Sequence, residues 1–180
     1  MTQQNITKEI ISYSFKKLSY DKAIDKISIT SIMNQTDYRR QTFYDHFDDK
    51  YDLITWIFSY EVSELTELIS IWEKRKDILF SLLTYLEENK TYYKNIFSNI
   101  KFDSFKDYFI YYIQKKVQVI VKDYYKNHVH SSYNQNFMEI TTEFYSYGLS
   151  EMLYRWVLRG CVPQTNDFQE LLIQAIPTKF

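Results

Sequence analysis

Apolar residues recur three and four positions apart along most of this chain, the spacing of helices that bury one face. Ile6, Ile10, Phe15 and Leu18, with Ile11 broadening the stripe, predict a first helix over residues 5–20. Ile24 and Ile27 are placed to close a small core beneath it. Ser28 is a good N-cap for a short second helix carrying Ile29, Ile32 and Met33. Thr36-Asp37 interrupts the pattern, and Tyr38, Phe43 and Phe47 then offer the apolar face of a third helix. Asp48 or Asp49 caps a fourth, from Lys50 to about Trp72, with Leu53, Ile54, Ile57, Phe58, Leu65, Leu68, Ile69 and Trp72 as its stripe.

Lys74-Arg75-Lys76-Asp77 reads as a solvated break. Ile78, Leu82, Tyr85 and Leu86 mark a fifth helix ending near Asn89; Tyr92, Tyr93, Ile96 and Phe97 mark a short sixth. A seventh spans 102–127 through Phe105, Phe109, Tyr112, Ile113, Val117, Ile120 and Tyr124. The eighth runs from about Asn134 to Arg159 through Phe137, Ile140, Phe144, Tyr147, Met152, Leu153, Trp156 and Val157, and Gly160 suits its left-handed stop. Asn166 or Asp167 opens a ninth, with Phe168, Leu171, Leu172, Ala175 and Ile176 as its face. Two glycines and two prolines in 180 residues agree with an all-α fold of about nine helices.

The stretch from Ser28 to Lys50 carries the most chemistry. Two short helices joined by a tight turn form a helix-turn-helix, whose second helix can lie in the DNA major groove. Its outward face would hold Arg39, Arg40, Gln41, Thr42 and Tyr44. Arginine can bond guanine bidentately, glutamine can do so to adenine, and threonine can touch a base edge or a thymine methyl.

Within it, QTFYDHFDDKYDL resembles the T-F/L-Y-x-H/Y-F-x-D-K-x-x-L signature of the TetR family of transcriptional regulators. The resemblance implies that Thr42, Tyr44 and His46 contact DNA, the last two mainly at phosphates. It also implies that Lys50 and the helix start it opens hold a phosphate, and that Thr30 puts a hydroxyl on the DNA backbone. Family members usually carry glycine at the place of Asp37, a small hydroxyl at Arg39 and often a small residue at Gln41. Arginine is no capping residue, so the third helix is expected to start from Asp37, which can itself supply the turn. RRQTFY, and L-x-x-L-x-x-Y-L-x-E-N-x-x-Y-Y-x-x-I-F between Trp72 and Phe97, are similar to a TetR branch that includes regulators of dihydroxyacetone kinase genes.

The resemblance divides the chain into a DNA-binding head, residues 1–50 with the helix-turn-helix at about 28–47, and a regulatory and dimerisation body, 51–180. It implies a homodimer on double-stranded DNA, paired through the last two helices, with Gly148, Met152, Phe168, Leu171, Leu172 and Ala175 as interface candidates. It further implies an effector pocket between the fourth and eighth helices, for which Tyr60, Tyr85, Tyr112, Tyr147 and Trp156 are candidates. The bland alternative for these aromatics is core filling. A protein co-regulator in place of a small molecule is equally compatible.

Charge gives the DNA reading little help. Residues 1–50 hold eight Lys/Arg against seven Asp/Glu, and the chain's net charge is −1. The motif, rather than a basic surface, has to carry the case, with helix N-termini and hydroxyls sharing the phosphates. The single Cys161 excludes an intrachain disulfide, and no hydrophobic leader follows the N-terminus. The longest apolar runs, such as 109–113, fall far short of a membrane span, so a cytoplasmic protein is expected. His128 and His130 lack further ligands close in sequence, and no phosphate loop, nucleophile elbow or HExxH occurs. No metal, cofactor or catalytic residue is expected. The runner-up is a helical binding module that has lost DNA.

Overall fold

The computed structural model describes residues 3–66, 72–99, 103–128 and 134–175, with the side chains of 3–4, 64–66 and 103–104 left aside. Among the described residues there are nine α-helices and no strand. They are α1 Gln3–Asp21, α2 Ile29–Met33, α3 Arg40–Tyr44, α4 Lys50–Thr66, α5 Arg75–Glu88, α6 Lys90–Phe97, α7 Asp103–His128, α8 Gln135–Leu158 and α9 Thr165–Ala175. Two single 3-10 turns, Ile24–Lys26 and Trp72–Lys74, bridge α1 to α2 and lead into α5.

Helices α1 to α3 form the head around Ile11, Phe15, Ile24, Ile27, Ile32, Met33, Phe43 and Phe47, all buried. Ile6 and Ile10, expected on the core face of α1, are instead 45% and 39% exposed. The core takes the face of Ile11 and Phe15, and Ile6 and Ile10 fall on the opposite side of the helix. Two faces of α1 are apolar, and sequence spacing alone could not tell which one the head would use.

Body and head share one core. Phe58 of α4 is its hub, meeting Tyr93 of α6 and Phe105, Tyr108, Phe109 and Tyr112 of α7 edge-on, with centroids 5.1–6.3 Å apart. Such edge-to-face contacts set ring positions as well as burying area. Leu65, Leu68, Ile69, His130 and Ile176 lie outside the described residues or side chains. Trp72, expected to end α4, sits in the 3-10 turn before α5. Its ring is buried beneath the Arg75 guanidinium at 3.7 Å, and its backbone N–H donates to the Asp123 carboxylate of α7 at 2.8 Å. Arg75 is thus part of this lock and not of a solvated break.

Helix α8 inverts the expected pattern over its first half. Met138, Thr141, Thr142, Ser146 and Ser150 face inward, against α7, while Phe137, Ile140, Phe144 and Tyr147 face outward. Small hydroxylic residues let the two long helices approach closely, and Ser146 Oγ donates back to the Thr142 carbonyl, disposing of its proton. From Leu153 onward large apolar side chains, Trp156 and Val157 among them, replace the hydroxyls on the core face. The helix then stops in a Schellman motif: Cys161 N–H donates to Trp156 O and Gly160 N–H to Val157 O, each at 2.9 Å. Gly160 has φ +80 as expected, and Cys161 follows at φ 62.

At Gly160 a methyl group would meet nothing within 4 Å, so only the backbone conformation opposes a side chain. Gly160→Ala is therefore expected to cost about 1 kcal/mol in urea unfolding, the left-handed penalty of an L-residue. A loss near zero would mean that this C-cap relaxes without the glycine.

Candidate nucleic-acid interface

Each helix of the head is set by local chemistry. Ser28 caps α2 in a reciprocal box: its Oγ accepts from Ser31 N–H, and Ser31 Oγ accepts from Ser28 N–H, both at 3.1 Å. The α2–α3 turn is six residues long and is made by Thr36 rather than by Asp37. Thr36 Oγ1 donates to Met33 O at 2.8 Å and accepts from Tyr38 N–H at 3.1 Å. No left-handed residue occurs there; the positive-φ positions among the described residues are Gly160 and Cys161. Consequently α3 begins at Arg40, later than expected. Arg39 stands at its N-cap with extended backbone and no side-chain cap bond, and Tyr38 precedes the helix, 37% exposed, instead of lining its buried face. Asp49 caps α4 as expected, accepting from Tyr51 and Asp52 N–H at 2.7 and 2.9 Å.

What anchors α3 is Phe43 with Phe47 just beyond it, 5.6 Å apart and buried. Lys8 of α1 sits over the Phe47 and Trp56 rings at 5.1 and 5.5 Å, fastening the underside. With Phe43 pinned inward, Arg40, Gln41 and Tyr44 are exposed and Thr42 and His46 half-exposed, all within 40–46. Thr30 is exposed on α2. Arg40 reaches one turn along α3, donating from Nη2 to Tyr44 Oη at 3.0 Å, with its guanidinium 5.5 Å from the ring centre. That bond leaves the phenol proton of Tyr44 free to point outward.

Lys50, at the start of α4, makes contacts that local sequence did not foretell. Its Nζ donates to the carbonyls of Ile24, Asp25 and Ile27 at 2.9, 3.3 and 3.1 Å, closing the C-terminal end of the 3-10 turn. An ammonium has three protons, and three carbonyls use them.

The effector-pocket candidates are not brought together. Tyr147 is on the outer face of α8, and Trp156 is buried, stacked on Phe168 at 4.8 Å and donating to Pro163 O at 2.7 Å. Tyr112 packs on Phe58. Tyr60 stacks on Trp56 at 4.7 Å and donates to Glu9 of α1 at 2.7 Å. Tyr85 donates to Glu61 at 2.6 Å and meets Tyr93 Oη at 2.5 Å. Burial first, and the Glu61 carboxylate second, push the Tyr85 phenol far above its ordinary range, so it stays protonated. Tyr60, Tyr85, Tyr112 and Trp156 serve packing and the head–body joint, and Tyr147 stays exposed. Among the interface candidates, Phe168 and Leu172 are buried within the chain, whereas Gly148, Met152, Leu171 and Ala175 are exposed.

Cys161 is buried, and burial pushes its thiol up to about 11, far from a reactive thiolate. No group of three or more metal-ligating side chains occurs among the described residues, and no helix there is long and apolar enough to cross a membrane.

A helix-turn-helix on a helical body defines the class of transcriptional regulators. Residues 73–178 match the family described as the transcriptional regulator C-terminal region of TetR type, and the chain belongs to the TetR family of regulators, not to an enzyme family. It is 38% identical over 97 residues to the HTH-type dhaKLM operon transcriptional activator DhaS of Lactococcus lactis subsp. lactis (strain IL1403). That match covers 54% of this chain and about half, 52%, of the relative. A solved structure, the dihydroxyacetone kinase operon activator DhaS, shares the fold with a TM-score of 0.70 at 24% identity, over 96% of this chain and 99% of that one.

Lys50→Met is expected to cost about 2 kcal/mol of stability, since charged hydrogen bonds to three carbonyls are lost. The salt dependence of DNA binding by the folded variant should be unchanged. A slope lower by about one would instead mark Lys50 as a phosphate contact.

Proposed function

We propose that the chain acts as a homodimer reading an operator of two related half-sites, its DNA affinity controlled at residues 51–180 by an effector or a protein co-regulator. The observation that carries this reading is the outward face of α3, with Arg40, Gln41 and Tyr44 exposed over the buried Phe43. In the proposed complex Gln41, Thr42 and Arg39 meet base edges. Arg40, bonded to Tyr44, works with it and His46 at phosphates, and Thr30 adds a hydroxyl from α2. Lys50 contributes through the backbone N–H groups of the α4 start rather than through its side chain. Similarity to DhaS makes genes of dihydroxyacetone utilisation the proposed targets, with activation as the outcome.

Dimerisation is supported by α8. Phe137, Ile140, Phe144 and Tyr147 recur at 3-4-3 spacing and are all exposed, Phe144 by 72%. A row of this kind is a helix–helix seam without its partner. A methyl at Gly148, beside the row, would meet nothing within 4 Å in the single chain. A second copy of α8 supplies the missing neighbour and fixes the separation of two recognition helices.

Selection of bound sequences from random duplex DNA at two salt concentrations tests the reading, and should return two related half-sites. Tyr44→Phe should then weaken binding to all sequences alike by about 1 kcal/mol, or roughly fivefold. Gln41→Ala should relax preference at one base position by about 1–3 kcal/mol. Unaltered operator binding by a folded Arg39→Ala/Arg40→Ala/Gln41→Ala protein overturns the assignment, and no enrichment at all favours a binding module without DNA. Phe144→Asp should convert the dimer to folded monomer in sedimentation and abolish joint occupancy of the two half-sites; a retained dimer would move the interface off α8.

A further inference from the structure

The outer side of α1 carries a second seam that neither the head core nor the DNA-reading face uses. Ile6, Ile10, Tyr13, Lys17 and Tyr20 follow one another at 4-3-4-3 spacing, within about 80° of helix arc. The four large apolar residues among them are 45%, 39%, 72% and 52% exposed, and Lys17 is exposed with them. Beside the seam, between α1 and α4, lies a cleft of about 410 Å³ walled by the stacked Trp56 and Tyr60. Its floor is the Lys16–Glu61 ion pair at 2.8 Å.

We propose that this face docks an amphipathic helix of a different protein, apolar along one stripe and acidic along its flank. The heptad spacing selects a helix, because side chains at 4-3-4-3 interlock only with another helix run alongside. Lys17, which forms no ion pair among the described residues, sits within the stripe and calls for a carboxylate opposite it. The cleft suits an anchor side chain rather than a free polar ligand. Its floor lysine is already bonded to Glu61 and Asn89, and its wall phenol to Glu9. A second copy of this chain is disfavoured by symmetry, an argument that rests on the α8 dimer proposed above. Two self-pairing faces on different axes build a tetramer or an open chain, whereas two half-sites call for a closed dimer. The seam is also mechanically placed. Ser14 Oγ of α1 donates to Ile32 O of α2 at 2.6 Å, so a partner gripping α1 holds the helix-turn-helix as well.

The test uses the DNA-free full chain and two labelled helical peptides of about three heptads, with leucine at the seam positions and either glutamate or lysine at the flanks. Fluorescence anisotropy should show the glutamate peptide binding the natural chain and binding Ile10→Asp at least about tenfold more weakly. Lys17→Glu should reverse the preference toward the lysine peptide, a charge swap that simple misfolding does not produce. Equal binding to Ile10→Asp, or no binding of either peptide, overturns the proposal. A fall in sedimentation mass on Ile10→Asp overturns it in favour of a second copy. Retained operator binding by Ile10→Asp keeps these outcomes separate from failure of the DNA-reading assignment.

Discussion

The joint between head and body rests on one ammonium, Lys16 of α1. It bonds both carboxylate oxygens of Glu61 on α4, at 3.0 and 2.8 Å, and Asn89 between α5 and α6 at 2.9 Å. Glu61 in turn accepts the Tyr85 phenol, and the Lys16 ammonium lies 5.3 Å from the centre of the buried Tyr92 ring. The pair is part-buried, its side chains 17% and 30% exposed, so removing one partner leaves the other charge only partly hydrated. The pair therefore specifies one docking of α1 on the body rather than adding much net stability.

A second clamp works beside it. Asn95 of α6 donates to the carbonyls of Ser19 and Lys22, at 2.9 and 2.8 Å, where α1 ends. Its carbonyl accepts from Ile24 N–H at 3.3 Å. Together the two clamps tie the C-terminal half of α1 to α4, α5 and α6 at once. Any rearrangement of the body that shifts α6 has to move α1 or break these bonds, and α1 carries α2 through Ser14 and Ile32. A shift of α6 is thus passed to α2 by a route that does not depend on α4 alone.

The head is built to present a face rather than a field. With charges almost balanced over residues 1–50, little long-range attraction to DNA is available, and the contact surface has to be prepared locally. Phe43 and Phe47 fix the rotation of α3, Lys8 braces them from below, and Arg40 orients Tyr44. Lys50, a cation close by, bonds three carbonyls of the 3-10 turn and so braces the head from the start of α4.

Much of this was legible in the residues. Helix count and most boundaries follow from 3.6-residue periodicity and from caps such as Ser28, Asp49 and Gly160, because these act within a few residues of themselves. Phe43 and Phe47 as anchors, and Arg40, Gln41 and Tyr44 facing outward, follow from the same geometry. Where several faces of one helix are apolar, periodicity has no preference, and the fold has to choose. It turned Ile6 and Ile10 out of the head, set Phe137 to Tyr147 outside α8 while hydroxyls packed within, and drew Phe168 and Leu172 into the chain's own core. It also decided what Lys50, Tyr60 and Tyr85 do, since their partners, Ile24, Glu9 and Glu61, lie 24 to 51 residues away along the chain. Local sequence determined the elements and the outward face of α3; which apolar faces stay exposed was decided by tertiary packing, because burial is a competition among distant surfaces.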